Sequence, residues 1–257
     1  MATYGLREIS KSYGGLRVLD DFSLDFPAGK VTAVLGPSGC GKTTLLHILS
    51  GLLSADAGER AGFEGARFSC VFQEPRLVPS FSALRNVELV LRAELPREAR
   101  RERAMRFLSA VGLREARALK PAQLSGGMRQ RTALARAFAY PADLLLMDEP
   151  FQSVDLRTRI GLMDAFLELQ AEDPRTVVFV THEVREALYL GDTVVVLSDK
   201  PARILERREV GLPRERRRYG SPDLSEAEAA LYRLILGEPA TPPGTAGTTR
   251  TAGAGGG

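Results

Sequence analysis

The chain has 257 residues, with 35 basic and 32 acidic side chains and a net charge of +3. That length fits one large α/β domain or two modest ones, and so small a surplus of positive charge does not by itself indicate nucleic-acid binding. Its two cysteines do not form a disulfide framework, which favours a reducing compartment. With no signal-peptide core and no apolar stretch near the ~20 residues that span a bilayer, we expect a soluble protein.

Residues 3–29 are predicted to form an antiparallel β flank. Apolar side chains alternate at Phe22, Leu24 and Phe26, and glycine-containing turns fall at 14–15 and 27–29.

A glycine-rich loop that fits G-x-x-x-x-G-K-[ST] comes next. It follows the β-branched run Val31–Leu35 and precedes a leucine-rich helical run, which is the context in which this motif binds nucleotide phosphates. Glycines let backbone N–H groups approach the phosphates, Lys42 adds a charge, and the Thr43 hydroxyl is placed to ligate Mg²⁺. The predicted phosphate loop comprises Gly36, Pro37, Ser38, Gly39, Cys40, Gly41, Lys42, Thr43 and Thr44.

Five short apolar runs predict strands of a mainly parallel sheet that is buried on both faces. They are Val31–Leu35, Arg67–Phe72, Leu144–Met147, Thr176–Thr181 and Thr193–Leu197. The first four end at Gly36, Gln73, Asp148 and His182. Because ligands of open α/β sheets bind beyond the carboxyl ends of the strands, we expect these positions to meet at one edge.

The polar side chains at this edge are candidates for phosphate chemistry. Asp148 is predicted to reach Mg²⁺, and Glu149 to orient or deprotonate the attacking water. His182 is either structural or a hydrogen-bond partner of the γ-phosphate. Gln73 either starts a turn or contacts both the metal and the lytic water. Tyr13 either packs normally or stacks on adenine.

Residues 80–140 are predicted to be helical. One helix starts at Pro96 and stops at Gly112, and another starts at the N-cap Ser125 and runs to about Tyr140. The second helix opens with Leu124-Ser125-Gly126-Gly127-Met128-Arg129-Gln130, and a serine with two glycines at a helix start also suits an anion. Since one nucleotide needs only one cradle, this second cradle predicts ATP closed between two copies of the chain.

Taken in order, these motifs resemble the ATPase subunit of an ATP-binding cassette (ABC) transporter over about residues 3–205. The resemblance implies an α/β P-loop NTPase with a mainly parallel core sheet, an antiparallel β flank and an inserted helical subdomain. It implies the cofactors ATP and Mg²⁺ and a head-to-tail dimer. Each ATP would bind the phosphate loop of one subunit and Ser125, Gly126 and Gly127 of the other, with Asp155 matching an aspartate that crosses the interface.

The same resemblance implies partners. These are membrane permease subunits and a periplasmic or lipid-anchored solute-binding protein, with the chain on the cytoplasmic face of the membrane and no nucleic acid. The segments 71–79 and 212–216 are similar to subunits of importers for nitrate, sulfonates, taurine and thiamine-precursor pyrimidines. The alternative is a soluble ABC ATPase acting on nucleic acid or ribosomes. A P-loop kinase or GTPase would have no use for the second cradle.

We predict an ATPase domain over 1–237, with the helical subdomain at about 80–140 and a C-terminal extension at about 205–237. A low-complexity tail at 238–257 is predicted to be disordered. The short spacing between Lys42 and Gln73 puts the edge strands of the β flank in doubt, and Gln152-Ser153-Val154 departs from the commoner family pattern. The segment 203–218 holds seven arginines and three glutamates, and we interpret it as solvated surface, with lipid headgroups or nucleic acid as alternative contacts.

Overall fold

In the computed structural model, which describes residues 4–152 and 154–237, two β-sheets are surrounded by helices. The strands are β1 (Tyr4–Tyr13), β2 (Leu16–Phe26), β3 (Val31–Leu35), β4 (Ala57–Ala61), β5 (Phe68–Val71), β6 (Leu144–Asp148), β7 (Thr176–Thr181), β8 (Thr193–Leu197) and β9 (Ile204–Glu209). The α-helices are α1 (Lys42–Ser50), α2 (Ala83–Leu89), α3 (Arg97–Ala110), α4 (Gly126–Ala139), α5 (Leu156–Glu172), α6 (Val184–Leu190) and α7 (Ser225–Leu236). Short 3₁₀ turns lie at Glu115–Ala118, Pro121–Gln123, Arg214–Arg216 and Pro222–Leu224. The tail predicted at 238–257 lies outside the described residues.

The larger sheet has the strand order β5-β6-β7-β3-β8-β9. Its first five strands are parallel to their neighbours, which confirms the predicted mainly parallel core sheet. Strand β9 was not predicted, and it runs antiparallel to β8 at the edge. Four of its six residues are charged, so the search for apolar runs did not indicate a strand there, although charged side chains are a common feature of edge strands.

Two apolar cores lie on opposite faces of this sheet. Val31, Ala33 and Leu35 of β3 belong to the core beneath α2–α6, whereas Val34 belongs to the core that contains α1 and the smaller sheet. The alternation follows from the two-residue period of a strand. Both faces are buried, so the strand reads as a continuous apolar run.

The smaller sheet is antiparallel, with the order β2-β1-β4, and it confirms the predicted β flank. Strand β4 formed from the trimmed segment whose length had put the edge strands in doubt. Ala57–Ala61 lacks apolar alternation, so only its pairing with β1 makes it a strand.

The helices α2, α3 and α4 all lie between β5 and β6 in the chain. Pro96 is the N-cap of α3, and Ser125 is the N-cap of α4, where its side chain accepts a hydrogen bond from the Met128 amide at 3.2 Å. The domain bounds at about 80, 140 and 205 stay predictions. In the described part of the chain, no helix is both long and apolar enough to cross a bilayer.

The basic segment 203–218 is anchored to the protein at several points. Arg217 is buried and donates hydrogen bonds to the carbonyls of Gly191, Val210 and Leu212. Arg214 pairs with Asp192 at 2.8 Å. The interpretation of this whole segment as solvated surface is therefore wrong for Arg217.

Candidate functional site

The phosphate loop joins β3 to α1 and closes around Lys42. The Lys42 ammonium is buried and donates to the carbonyl oxygens of Gly36 and Pro37, both at 2.8 Å. Gly41 has φ of 125°, and a Cβ at this position would come within 2.7 Å of Val18 Cγ1. The loop therefore requires glycine there.

The remaining loop residues differ in what they expose. Ser38 and Gly39 are exposed at the tip, and Thr44 is half-buried in the first turn of α1. The Cys40 side chain is buried in the core, and burial raises the pKa of its thiol. The Cys40 sulfur therefore lies in the core and not at the exposed tip of the loop.

Thr43 and Asp148 meet at one corner of the loop. The Thr43 hydroxyl donates to Asp148 Oδ2 at 3.0 Å. Burial raises the pKa of Asp148, the hydrogen bond from Thr43 lowers it, and the neighbouring Glu149 charge raises it again. A divalent cation would relieve this crowding of buried negative charge.

These oxygen atoms fit Mg²⁺, which prefers one or two carboxylate or hydroxyl ligands and takes the rest from water and substrate phosphates. Within residues 4–152 and 154–237 there is no group of three or more His, Cys, Asp or Glu side chains that would form an all-protein metal cage. Thr43 and Asp148 would hold the ion. Among the described residues, no hydrogen bond joins the side chain of the predicted ligand Gln73 to either of them.

Glu149 follows Asp148 with a left-handed backbone conformation, φ of 44°, which a residue with a side chain rarely adopts. Its amide donates to the Val180 carbonyl at 3.1 Å. Its Oε1 atom lies 3.3 Å from His182 Nδ1 and 3.9 Å from Lys42 Nζ. Backbone strain of this kind concentrates at functional sites, and here it accompanies the meeting of three predicted catalytic groups.

His182 has a second neighbour that the sequence did not predict. The Gln152 amide nitrogen lies 2.8 Å from His182 Nδ1 and 3.2 Å from Nε2. The only signal for Gln152 was its departure from the family pattern, which identified an unusual residue but not its contact.

Gln73 is held by α4 and not by the phosphate loop. Its carbonyl accepts a hydrogen bond from the Gln130 side chain at 2.7 Å, and Arg136 donates to the carbonyls of Pro75 and Arg76 at 2.9 Å. The Gln73 side chain is exposed. The loop after β5 is thus hydrogen-bonded to α4, the helix that begins with the second cradle.

The second cradle lies against the start of α5. Gly127 packs on the Thr158 methyl group, and Thr158 in turn donates from its amide and hydroxyl to Asp155 at 3.1 and 2.7 Å. These two hydrogen bonds lower the pKa of Asp155, which is the N-cap of α5. Ser125 is exposed beside them.

The predicted site residues therefore form two surfaces. In the described part of the chain, no hydrogen bond joins Ser125, Gly126 or Gly127 to the loop 36–44. Tyr13, at the end of β1, is 48% exposed and free of the core, so its role at adenine stays a prediction.

Comparison with known proteins gives the family. The family model described as ABC transporter matches residues 19–152. The aliphatic sulfonates import ATP-binding protein SsuB 1 of Rhizobium johnstonii is 43% identical over 242 residues, which cover 92% of this chain and 87% of that protein. The protein of the same name from Xanthomonas axonopodis pv. citri is 42% identical over 230 residues, covering 86% and 88%.

Two solved structures of the cassette MJ0796 agree with the fold. Its dimeric structure has a TM-score of 0.71 and 30% identity, covering 82% of this chain and all of that one (100%). A post-hydrolysis dimer bound to ADP and Pi has a TM-score of 0.70 and 29% identity over the same coverage. Motifs, fold and relatives agree, and the chain belongs to the ABC transporter family as an ATP-hydrolysing cassette, on the branch that includes the sulfonate importer subunits.

Proposed function

We propose that this chain powers a membrane importer and that it hydrolyses ATP as a head-to-tail pair with a second copy of itself. The observation that carries this proposal is the division of the site into two surfaces. Lys42, Glu149 and His182 lie together, whereas Ser125 caps a helix with no hydrogen bond to the phosphate loop among the described residues. Such halves become one site when two copies meet in opposite orientation.

In this assembly the phosphate loop and Lys42 bind the β- and γ-phosphates. Thr43 and Asp148 would hold Mg²⁺, which would neutralise charge on the phosphates. The Glu149 carboxylate accepts a proton from the attacking water. His182 hydrogen-bonds the γ-phosphate, and Gln73 contributes only after its loop has moved with α4.

The second copy closes the site over the nucleotide. Its exposed Ser125 and the first amides of its α4 approach the γ-phosphate, because the start of a helix presents unpaired N–H groups and the positive end of the dipole. Asp155, which caps α5 beside this cradle, crosses the interface. The dimeric MJ0796 structures support the pairing.

The solute belongs to the class that the relatives' names indicate. Since those relatives import aliphatic sulfonates, we infer a small solute of the sulfonate type, with nitrate, taurine and thiamine precursors as the other members of the branch. A permease and a periplasmic or lipid-anchored binding protein select the solute, and the chain works on the cytoplasmic face of the membrane. The names of the two relatives described above indicate import and not nucleic acid or ribosomes, so import is preferred over that alternative.

An arginine-lined cavity of about 610 Å³ supports docking of a permease on the helices between β5 and β6. It is lined by Phe81, Ser82, Leu84, Arg85, Glu88, Leu89, Arg92, Arg97, Arg100, Arg101, Arg117 and Ala118. In the described part of the chain, the salt bridges involve none of these residues except Arg117. Unpaired guanidinium groups beside apolar side chains suit an acidic, amphipathic segment of the permease.

Reversing charge in this cavity tests that docking. We expect Arg97→Glu combined with Arg101→Glu to abolish co-purification with the permease, while ATP binding by the isolated chain is unchanged. The control is Arg207→Glu combined with Arg216→Glu, the same charge change at exposed positions elsewhere. Equal loss of the permease in both double variants would contradict docking at the cavity.

Replacing Glu149 by Gln tests the catalytic assembly. Glutamine keeps the size of the side chain but accepts no proton, so we expect ATP binding to persist, turnover to fall by about 100-fold or more, and the ATP-bound dimer to accumulate. Analytical ultracentrifugation with ATP and Mg²⁺ measures the dimer, and phosphate release measures turnover. A Glu149→Gln variant that hydrolyses ATP normally, or stays monomeric with saturating ATP, would refute the proposal.

A further inference from the structure

His182 stands on a turn between β7 and α6 that two side chains hold in place. The Thr181 hydroxyl donates a hydrogen bond to Glu186 Oε2 at 2.7 Å. The Thr181 hydroxyl oxygen in turn accepts a hydrogen bond from the Glu183 amide at 3.0 Å. These contacts close a small hydrogen-bonded ring around the residue that carries the imidazole. Glu183, the N-cap of α6, makes no side-chain capping bond of its own.

Glu186 is an unusual residue for its position. Its side chain has no exposed area, and burial raises the pKa of its carboxyl group. Its Oε1 atom is buried without a hydrogen-bond partner among the described residues. A leucine would fill such a position without burying a polar group, so packing alone does not account for the carboxyl.

Arg159 of α5 connects this turn to the second surface. Its Nη1 atom lies 3.8 Å from Glu186 Oε1 and 3.9 Å from Glu183 Oε1. Its backbone amide donates to the Asp155 carbonyl at 2.9 Å, in the first turn of the helix that Asp155 caps. The Arg159 guanidinium therefore lies near the carboxylates of both Glu183 and Glu186. Arg159 belongs to α5, the helix that begins at the predicted dimer interface.

Thr181 also borders the phosphate loop, because its carbonyl accepts a hydrogen bond from the Gly36 amide at 3.4 Å. We propose that Glu186 is a positioning residue for His182. By accepting the hydrogen bond from the Thr181 hydroxyl, Glu186 fixes the conformation of the turn from which the imidazole reaches the γ-phosphate. Its proximity to Arg159 links that turn to α5. This inference rests on the role given to His182 in the proposed function.

Removing the hydroxyl and the carboxyl separately tests the positioning role in the full chain. We expect Thr181→Val and Glu186→Ala each to lower kcat for ATP hydrolysis by about fivefold or more, as the loss of one oriented hydrogen bond would. KM for ATP should stay within about twofold, since the loop and Lys42 still bind the phosphates. Glu186→Gln should keep most of the wild-type rate, because its amide oxygen still accepts from Thr181.

A double-mutant cycle with His182→Ala separates positioning from general stability. If Thr181 and Glu186 act through the imidazole, Thr181→Val should have no further effect once His182 is gone. An equal loss in both backgrounds would overturn the inference, as would wild-type kcat for Thr181→Val. Valine is close to threonine in shape, so this arm remains decisive if Glu186→Ala does not fold.

The same cycle keeps the two proposals apart. Normal hydrolysis by His182→Ala alone would refute the role of His182 in the proposed function. Slow hydrolysis by His182→Ala together with normal hydrolysis by Thr181→Val would leave that function intact and remove Glu186 from it. kcat and KM are measured with ATP in excess over enzyme, and the rates of the slow His182→Ala variants are also measured as a single turnover with enzyme in excess over ATP.

Discussion

Burial at the end of β6 raises the pKa of Asp148, and the hydrogen bond from Thr43 opposes that rise without cancelling it. A carboxyl whose folded pKa lies above its unfolded value stabilises the fold least when it is ionised. Its contribution is therefore fully present below the unfolded pKa and is lost as the pH rises through the folded pKa. At neutral pH, the ionised Asp148 carboxylate, which is predicted to hold Mg²⁺, therefore lowers the free energy of unfolding of the nucleotide-free protein.

Replacing Asp148 by Asn should expose this conflict. Asparagine still accepts from Thr43 but carries no charge, so we expect Tm of the nucleotide-free protein at pH 8 to rise, by about 2–4 °C for each kcal/mol recovered. The gain should shrink as the pH falls toward 5, and Mg²⁺-dependent hydrolysis should be lost. Differential scanning fluorimetry measures Tm. Asp199→Asn, at an exposed position, is the control and should change nothing. A lower Tm for Asp148→Asn at pH 8 would contradict the argument.

At the scale of elements, the contact between α4 and α5 couples the second cradle to Asp155. A Cβ on Gly127 would collide with the Thr158 methyl group, whereas a Cβ on Gly126 would lie 3.8 Å from Val154 Cγ1, an ordinary contact. Thr158 supplies both hydrogen bonds that cap α5. The close approach of the two helices thus needs glycine at only one of the two positions.

The pair Gly127→Ala and Gly126→Ala tests this packing. We expect Gly127→Ala to lower the free energy of unfolding by about 1–3 kcal/mol, because overpacking moves Thr158 and its cap. Gly126→Ala should be neutral or stabilise slightly, since alanine favours a helix over glycine. Urea denaturation measures both. Equal destabilisation by the two substitutions would show that the helices do not pack as described.

At the scale of the whole molecule, a site shared by two copies makes a prediction about mixtures. Lys42→Ala disables the loop of one copy, and Ser125→Arg blocks the cradle of the other. In a mixed dimer, one of the two sites combines the intact loop with the intact cradle. We expect each variant alone to be inactive and their mixture to recover up to about a quarter of the wild-type rate. Phosphate release measures it. No recovery in a mixture shown to form mixed dimers would contradict the head-to-tail pairing.

The strands that position the site were predictable because strands that are buried on both faces consist of consecutive apolar residues. Strands β4 and β9 were not, because each exists only through pairing with a neighbour and carries few apolar side chains. The contacts of Gln152, Arg159 and Glu186 were equally hidden. A buried glutamate and an exposed one look the same in sequence, and only packing distinguishes them.

The sequence by itself determined the chemistry of phosphate binding and the family. Contiguous residues are predicted to perform that chemistry: backbone amides of one loop, one lysine, one hydroxyl, and a helix start with its own serine and glycines. The tertiary structure alone decided which distant side chains meet. Sheet register brings Thr43 to Asp148 and Glu149 to His182, while the packing of α4 on α5 keeps Ser125 with Asp155. The physical reason is that the burial of apolar side chains sets the strand register and the helix packing. Polar side chains on those strands and helices then meet, although the local sequence of each strand or helix does not specify its neighbours.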